Sequence, residues 1–569
     1  MKKLIAILMG GVVLLGPLSS ISSAADIPDE QWTPISYPQG DGWRSLYVAD
    51  GSTLNRNPSV MYGQTQWVQG SLPKMFHCTN IDSAACVKYP VISANAFLQP
   101  CSTSVLTNCI EEFWAIDLNG QKVIATNPTA YPNHSQWDYA GNEELNLPVG
   151  GTPAVWSIPG ATNGGGSDQY MAQVYTESFL NKPENSKVTN QKFVIQRLTV
   201  SVSAVKEIYG QFLPQVAQDS TETPNGEGSG VSHPSQDEWR FCSMIDTGTC
   251  MQKQSFPTGY KFGIRIRLQS RLSGWLHGRI YNPDVLINTA DNGDQIISVE
   301  AAPVQVPIIG EWFRWDELTP PIKDYITSGK VSGGQGDRSG ITSSTGTFQQ
   351  ITDTWGQEAM EALRLWLPQV KDKASASPTL WTFHNLDDGQ MQGANKCIKD
   401  SNDLAGFVTT NAAVYSAGPP TFNSDTQSLD YKVISPHFTS KGDVTIGSYD
   451  LRIKSDVARC IYGFSKAPIQ ASISIVSEDG SIQTATQTIN ESNGWLSLSA
   501  KGFTYSSPTI AVKLSQKAPN PAQTPMASPA PTRQSTAGGS TTINCRNGKA
   551  LKKVRGLNPK CPVGFKKVV

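Results

Sequence analysis

The sequence predicts a mainly β, multi-domain protein of β-sandwich-like modules, with one small helical region at about 319–374 and a short disulfide-closed basic tail. Three observations predict it. Short runs alternate apolar and polar residues, most clearly Tyr260, Phe262, Ile264, Ile266 and Leu268 against Lys261, Gly263, Arg265, Arg267 and Gln269. Such a period of two puts one face on a core and the other toward water. Ten cysteines fall into pairs, three of them with the same spacing. Apolar residues at helical spacing are confined to a single region.

Residues 1–25 read as a secretory signal peptide. Lys2 and Lys3, the apolar run Leu4 to Leu15, Pro17 and then Ser22-Ser-Ala-Ala25 supply its charged, apolar and small-residue parts in order. The apolar run is shorter than the about 20 residues needed to span a bilayer. No later segment is long and apolar enough to anchor the chain, so no transmembrane segment is expected in the mature protein. Charged residues make up 16%, under the about 25% of a typical soluble domain. Ser, Thr, Gly, Asn and Gln fill the difference, as on many secreted β-protein surfaces. The expected location is extracellular or at the cell wall.

The cysteines fit that compartment. Cys78/Cys86, Cys101/Cys109 and Cys242/Cys250 each enclose seven residues, and the first and third loops nearly match in sequence. Paired zinc ligands prefer two to four intervening residues and redox motifs use two, so disulfides are expected instead. Local closure gives Cys78–Cys86, Cys101–Cys109 and Cys242–Cys250, then Cys397–Cys460 across a long interval and Cys545–Cys561 in the tail. Each short loop would contribute about 2–3 kcal/mol by restricting the unfolded chain.

Residues 26–318 form the first β-rich region, with all three short cysteine loops. Phe113 to Leu118, then Asn119-Gly120, then Lys122 to Ala125 reads as a hairpin with a type I′ turn. Further strands are expected at Ala154–Ile158, Tyr170–Tyr175 and Leu198–Val202, and a loop or linker at 220–236. The two matching cysteine loops admit two readings, an internal duplication within 70–310 or two local solutions to one strand-edge problem. Tyr260–Leu268, Ser273-Gly274 and Trp275–Ile280 read as a β-hairpin. In the helical segment, 319–376, Pro320 and Pro321 open one helix and Gly329 lies past its end. A second carries Trp355, Ala359, Leu363 and Trp366 on one face, expected to pack on a sheet. Residues 377–516 read as a β-sandwich module whose last strands form a meander, turning at Asp479-Gly480 and Asn493-Gly494. A Pro/Ala/Ser/Thr linker, 517–543, precedes the tail, 544–569.

Charge is distributed unevenly. The totals are 46 basic and 47 acidic residues, yet the last 25 residues carry Arg546, Lys549, Lys552, Lys553, Arg555, Lys560, Lys566 and Lys567 with no acid. Setting these aside with Lys2 and Lys3 leaves 36 basic against 47 acidic residues, a formal charge of −11 for the body. Lys549, Lys552, Lys553, Arg555, Lys560, Lys566 and Lys567 are therefore the candidate binding residues, for an anionic wall polymer or polysaccharide. Export argues against a nucleic-acid partner.

Catalytic motifs are missing. The six histidines have no metal-ligand spacing, Ser71-Leu-Pro-Lys74 lacks its companion boxes, and the glycine loop at 160–167 leads into a strand. No cofactor or metal site is implied. Two acidic clusters remain, Glu111-Glu112 beside Trp114 and Glu311 with Asp316 and Glu317 around Trp312 and Trp315. A glycosidase needs two converging carboxyls, whereas neighbours on a strand point to opposite faces.

The module Tyr449-Asp-Leu … Ala458-Arg-Cys-Ile-Tyr-Gly-Phe464 … Asn493-Gly-Trp-Leu496 and the ending Ile543-Asn-Cys545 … Asn558-Pro-Lys-Cys-Pro-Val-Gly-Phe565-Lys-Lys resemble parts of uncharacterised secreted proteins of actinobacteria. The resemblance covers 440–569 well and Gly274-Trp-Leu-His-Gly-Arg279 more loosely. It implies an exported envelope or extracellular protein and carries no catalytic residue onto this chain. The expected function is a disulfide-stabilised surface protein with a binding or structural role, held near the wall by its tail. The alternatives are a hydrolase of polysaccharide or peptidoglycan using Glu311, Asp316 or Glu317, and an envelope-assembly factor presenting the Trp355/Trp366 helix face.

Overall fold

Alternating sequence has become strand across the described residues, 49% strand against 11% helix in the computed structural model. It describes residues 28–33, 38–50, 58–133, 135–188, 190–222, 231–232, 238–331, 333–336, 345–465, 469–477, 480–483, 485–505, 508–516, 541–556 and 558–568. The expected signal peptide, most of the Pro-rich linker, His134 and His233 lie outside these residues. Contacts divide the chain into two units, meeting at Gln516/Lys517.

Among the described residues of the first unit, a 15-stranded sheet sets Val194–Tyr209, Thr382–Asn385, Gly274–Arg279, Leu404–Thr410, Ile446–Lys454 and Trp495–Thr504 side by side. Strands from before and after residue 377 thus interleave in one sheet. A five-stranded sheet containing Cys109–Ile116, Lys261–Leu268 and Gln295–Ala302 covers part of it. Phe262, Ile264, Ile266 and Leu268 share a core there with Leu198, Val200 and Val202. A six-stranded sheet that includes Ser428–Ile434, Ile469–Val476 and Thr509–Gln516 makes a second layer. Leu429, Tyr431, Ile473 and Val512 meet Val408, Leu451 and Leu498 between the two sheets, the sandwich arrangement.

The Lys261–Leu268 strand does not form the expected hairpin with Gly274–Arg279. It pairs with Cys109–Ile116 on one side and Gln295–Ala302 on the other. The intervening turn instead carries the chain between sheets, and Gln295 fixes it by bonding both the N–H and the C=O of buried Leu272 at 3.0 Å. Trp275 through Arg279 are all buried. Leu276 belongs to the first core and Trp275 to the second. A strand covered on both faces shows no alternation to read.

Other turns differ in detail. At Asn119-Gly120 only Gly120 has positive φ (78°), so the turn is not type I′. Asp117 Oδ1 accepts from the N–H of both Asn119 and Gln121 at 2.8 Å, a side-chain-stabilised longer loop. Asn493 (φ 50°) and Gly494 (φ 77°) are both left-handed and make the tight turn between Thr486–Ser492 and Trp495–Thr504. Those two strands join the 15-stranded sheet while Ile469–Val476 joins the six-stranded one. The expected meander is thus split between layers.

Helices Pro320–Thr327 and Gln357–Trp366 lie in the expected region. Ala359, Leu363 and Trp366 are buried, all three in the same core as Ile322 and Tyr325. Trp355 precedes the helix, because Gly356 (φ 95°) turns the chain and donates its N–H to Tyr415 O at 2.9 Å. The half-buried Trp355 packs on the sandwich core. Helix also appears within the β module, at Ser455–Tyr462, ended by left-handed Gly463. All five cysteine pairs are bonded as expected from spacing. The two matching loops nonetheless fold differently. Cys86 sits in the helix Ala84–Lys88, whereas Cys242 and Cys250 brace a hairpin of Cys242–Asp246 and Thr249–Gln254.

Candidate functional site

The second unit's described residues build a three-stranded antiparallel sheet from Thr541–Asn547, Ala550–Gly556 and Lys566–Val568, with Thr541–Asn547 in the centre. Register sorts its side chains. Cys545 stands opposite Lys552 and Lys567, and Ile543 opposite Val554. This side is anchored by the buried Cys545, bonded to Cys561, while Ile543 and Val554 are half-buried. On the other face Arg546 stands opposite Leu551 and Lys566, Asn544 opposite Lys553 and Thr542 opposite Arg555. Arg546, Lys553, Arg555 and Lys566 are exposed there, and no acidic residue occurs from Thr541 to Val568.

Of the seven candidate binding residues, the sheet therefore gathers Lys553, Arg555 and Lys566 on one face. Lys552 and Lys567 are turned to the other, and Lys549 and Lys560 lie outside the strands. Arg546 joins the three and was not among the candidates. Alternation from Cys545 outward was the signal that could have found it. Directly opposite side chains in such a sheet lie about 4.5–5.5 Å apart at Cβ, and like charges at that spacing repel. An anionic chain laid across this face would relieve that repulsion with two or more cations at once.

The acidic clusters are arranged otherwise. Glu311, Asp316 and Glu317 are exposed, and Glu317 Oε2 accepts from the Arg314 N–H at 2.7 Å to cap the turn Trp315–Glu317. Glu111 and Glu112 do not point to opposite faces as neighbours on a regular strand would. A β-bulge opposite Arg265/Ile266 inserts Glu111 into the ladder. Both carboxylates reach the arginines of one face, Glu111 to Arg267 at 2.5 Å and Glu112 to Arg265 at 3.9 Å. Glu112 also meets Lys122 at 2.6 Å. The basic stripe of Lys261–Leu268 is thus one side of a cross-strand ion ladder.

Beneath the surface lies a charged cluster that sequence reading did not single out. The side chains of Arg279 and Asp50 are each 1% exposed and ion-paired. The guanidinium also donates to the carbonyls of Thr410 (3.0 Å) and Ala412 (2.6 Å), and lies 4.6 Å from the Tyr415 ring centre. His277 stacks on the same ring at 3.7 Å and faces His384 across the strand pair. Burial first, then Arg279 and His384, holds the His277 imidazole well below its ordinary pKa. Burial pulls His384 down to about 4. Both rings are neutral at physiological pH. Among the described residues no group of three or more His, Cys, Asp or Glu is placed to hold a metal ion.

No family model matches the chain, and no curated protein matches it. Five disulfides fit an extracellular, disulfide-stabilised protein, and no described helix is long and apolar enough to cross a membrane.

Proposed function

We propose that the chain is an exported surface protein whose β-rich body does binding work and whose C-terminal sheet holds it to an anionic wall polymer. The observation that carries this reading is the exposed face of Arg546, Lys553, Arg555 and Lys566 in a module without a single acid. Repeated phosphate or carboxylate groups on a flexible polymer can meet several of these cations together, so weak contacts add. The sequence supports a tether as well, since a Pro-rich linker separates the basic tail from an acidic body. The likeness of 440–569 to secreted actinobacterial proteins points to the same compartment.

Sedimentation with isolated cell walls tests the proposal. Full-length mature protein should co-sediment at low salt and be released at high salt, and removal of 517–569 should abolish retention. Equal retention of the two forms at both salts would sink the anchoring reading.

A further inference from the structure

Between the hairpin closed by Cys242–Cys250 and the loop around Trp137 a cleft of about 410 Å3 opens. That volume falls within the about 300–1,000 Å3 of small-ligand sites. Its walls are held in place before any ligand arrives. Pro58, Pro132, Pro153 and Pro214 line it, and each fixes its own φ. The Tyr131 hydroxyl bonds Thr249 Oγ1 at 2.7 Å, and Thr152 Oγ1 donates to Pro132 O at 2.7 Å. The hairpin tip is pinned where Gly210 and Gly248 share a backbone bond of 3.0 Å. Rigid walls lower the ordering cost of binding.

The chemistry of the lining narrows the ligand. Among the described residues no Lys or Arg lines the cleft and Asp246 is the one carboxylate, so their chemistry disfavours an anion. Trp137 supplies an aromatic surface, with His77 edge-on to it at 4.2 Å. The Trp137 indole N–H is buried and has no acceptor among the described residues, a donor that ordinarily finds a partner. Ser135, Gln136, Gln215 and Thr247 add neutral donors and acceptors. An aromatic ring beside one carboxylate and several amides and hydroxyls suits a molecule with an apolar C–H face and a rim of hydroxyls. We propose that this cleft binds an uncharged sugar unit, with Trp137 as its platform and Asp246 as its principal hydrogen-bond acceptor. Proline-rich peptides are the poorer fit, because the other aromatic ring among the described lining residues, Phe97, is only 1% exposed.

This inference rests on the reading that the body binds, and it leaves the C-terminal sheet untouched, so the two can fail separately. Full-length mature protein is titrated calorimetrically with chitotetraose, cellotetraose, maltotetraose and mannotetraose, and with a decaproline peptide. At least one sugar should bind with Kd between about 10 μM and 1 mM, weakened about tenfold or more by Asp246→Asn and by Trp137→Ala. Trp137 also packs on Val60, Tyr62 and Ala217, so Trp137→Ala is read only alongside its melting temperature. Asp246→Asn keeps the shape and decides the matter if Trp137→Ala unfolds. Absence of sugar binding up to about 10 mM, undiminished binding by Asp246→Asn, or preference for the peptide would each overturn the proposal.

Discussion

Arg546 stands directly opposite Lys566 on neighbouring antiparallel strands, two cations on one exposed face. An exposed ion contact contributes about 0.2–1 kcal/mol, so under the proposed anchoring the four cations of this face would together supply about 1–4 kcal/mol of polymer affinity. Changing Arg546, Lys553, Arg555 and Lys566 to Gln should lower retention on isolated walls about fivefold or more. Changing Lys549, Lys552, Lys560 and Lys567 removes the same charge and should cost clearly less. Equal losses in a salt-titrated sedimentation assay would mean that total charge, not the face, is what binds.

The buried pair Asp50–Arg279 should be asymmetric to mutation. Asp50→Ala leaves a guanidinium uncompensated in the core and is expected to cost about 3–5 kcal/mol. Asp50→Ala with Arg279→Met removes both charges and should recover part of that loss. Urea denaturation of the two variants and the parent measures the difference. A double variant no more stable than Asp50→Ala would contradict this account.

Acid should destabilise the body through His277 and His384. Both have pKa values lowered in the fold, His384 to about 4, whereas an unfolded histidine titrates near about 6.5. Below about pH 6.5 the unfolded chain takes up protons that the fold refuses, so stability falls as pH drops toward 4. Above that window these rings contribute no pH dependence. The His384 shift alone accounts for an expected loss of about 3 kcal/mol by pH 4, to which His277 adds, and His384→Gln should flatten the slope of melting temperature against pH between 4 and 6.5.

Loop length ranks the disulfides. Cys397–Cys460 spans a sequence separation of 63 and Cys78–Cys86 one of 8. Paired Ser substitutions should cost about 4 kcal/mol at the first and about 2.5 kcal/mol at the second on the chain-entropy model. Chemical denaturation under non-reducing conditions reads both, and a reversed order would show that local packing, not chain restriction, dominates.

What could be read from the residues was local. Phe262 to Leu268 alternate in sequence and fill the core as a period of two demands. The cysteine spacings led to the five bonds. Partner choice was not legible, because Lys261–Leu268 pairs with a strand about 150 residues upstream, Cys109–Ile116, and periodicity carries no information about distance. Trp275–Arg279 misled for the opposite reason, since burial on both faces erases the pattern. Glu111 lies on a bulge, which shifts every face assignment beyond it by one residue. In the tail the composition marked the module, while the sorting of Arg546 from Lys552 needed the strand register.

The interleaving of the 15-stranded sheet sets an order of events in synthesis. Among the described strands Gly274–Arg279 pairs with Thr382–Asn385 and Leu404–Thr410, so it must wait unsatisfied for more than a hundred residues of later chain. A nascent or truncated product ending before residue 382 would carry that apolar segment with both hydrogen-bonding edges bare, a template for self-association. Late completion of this strand's ladder is thus written into the topology itself.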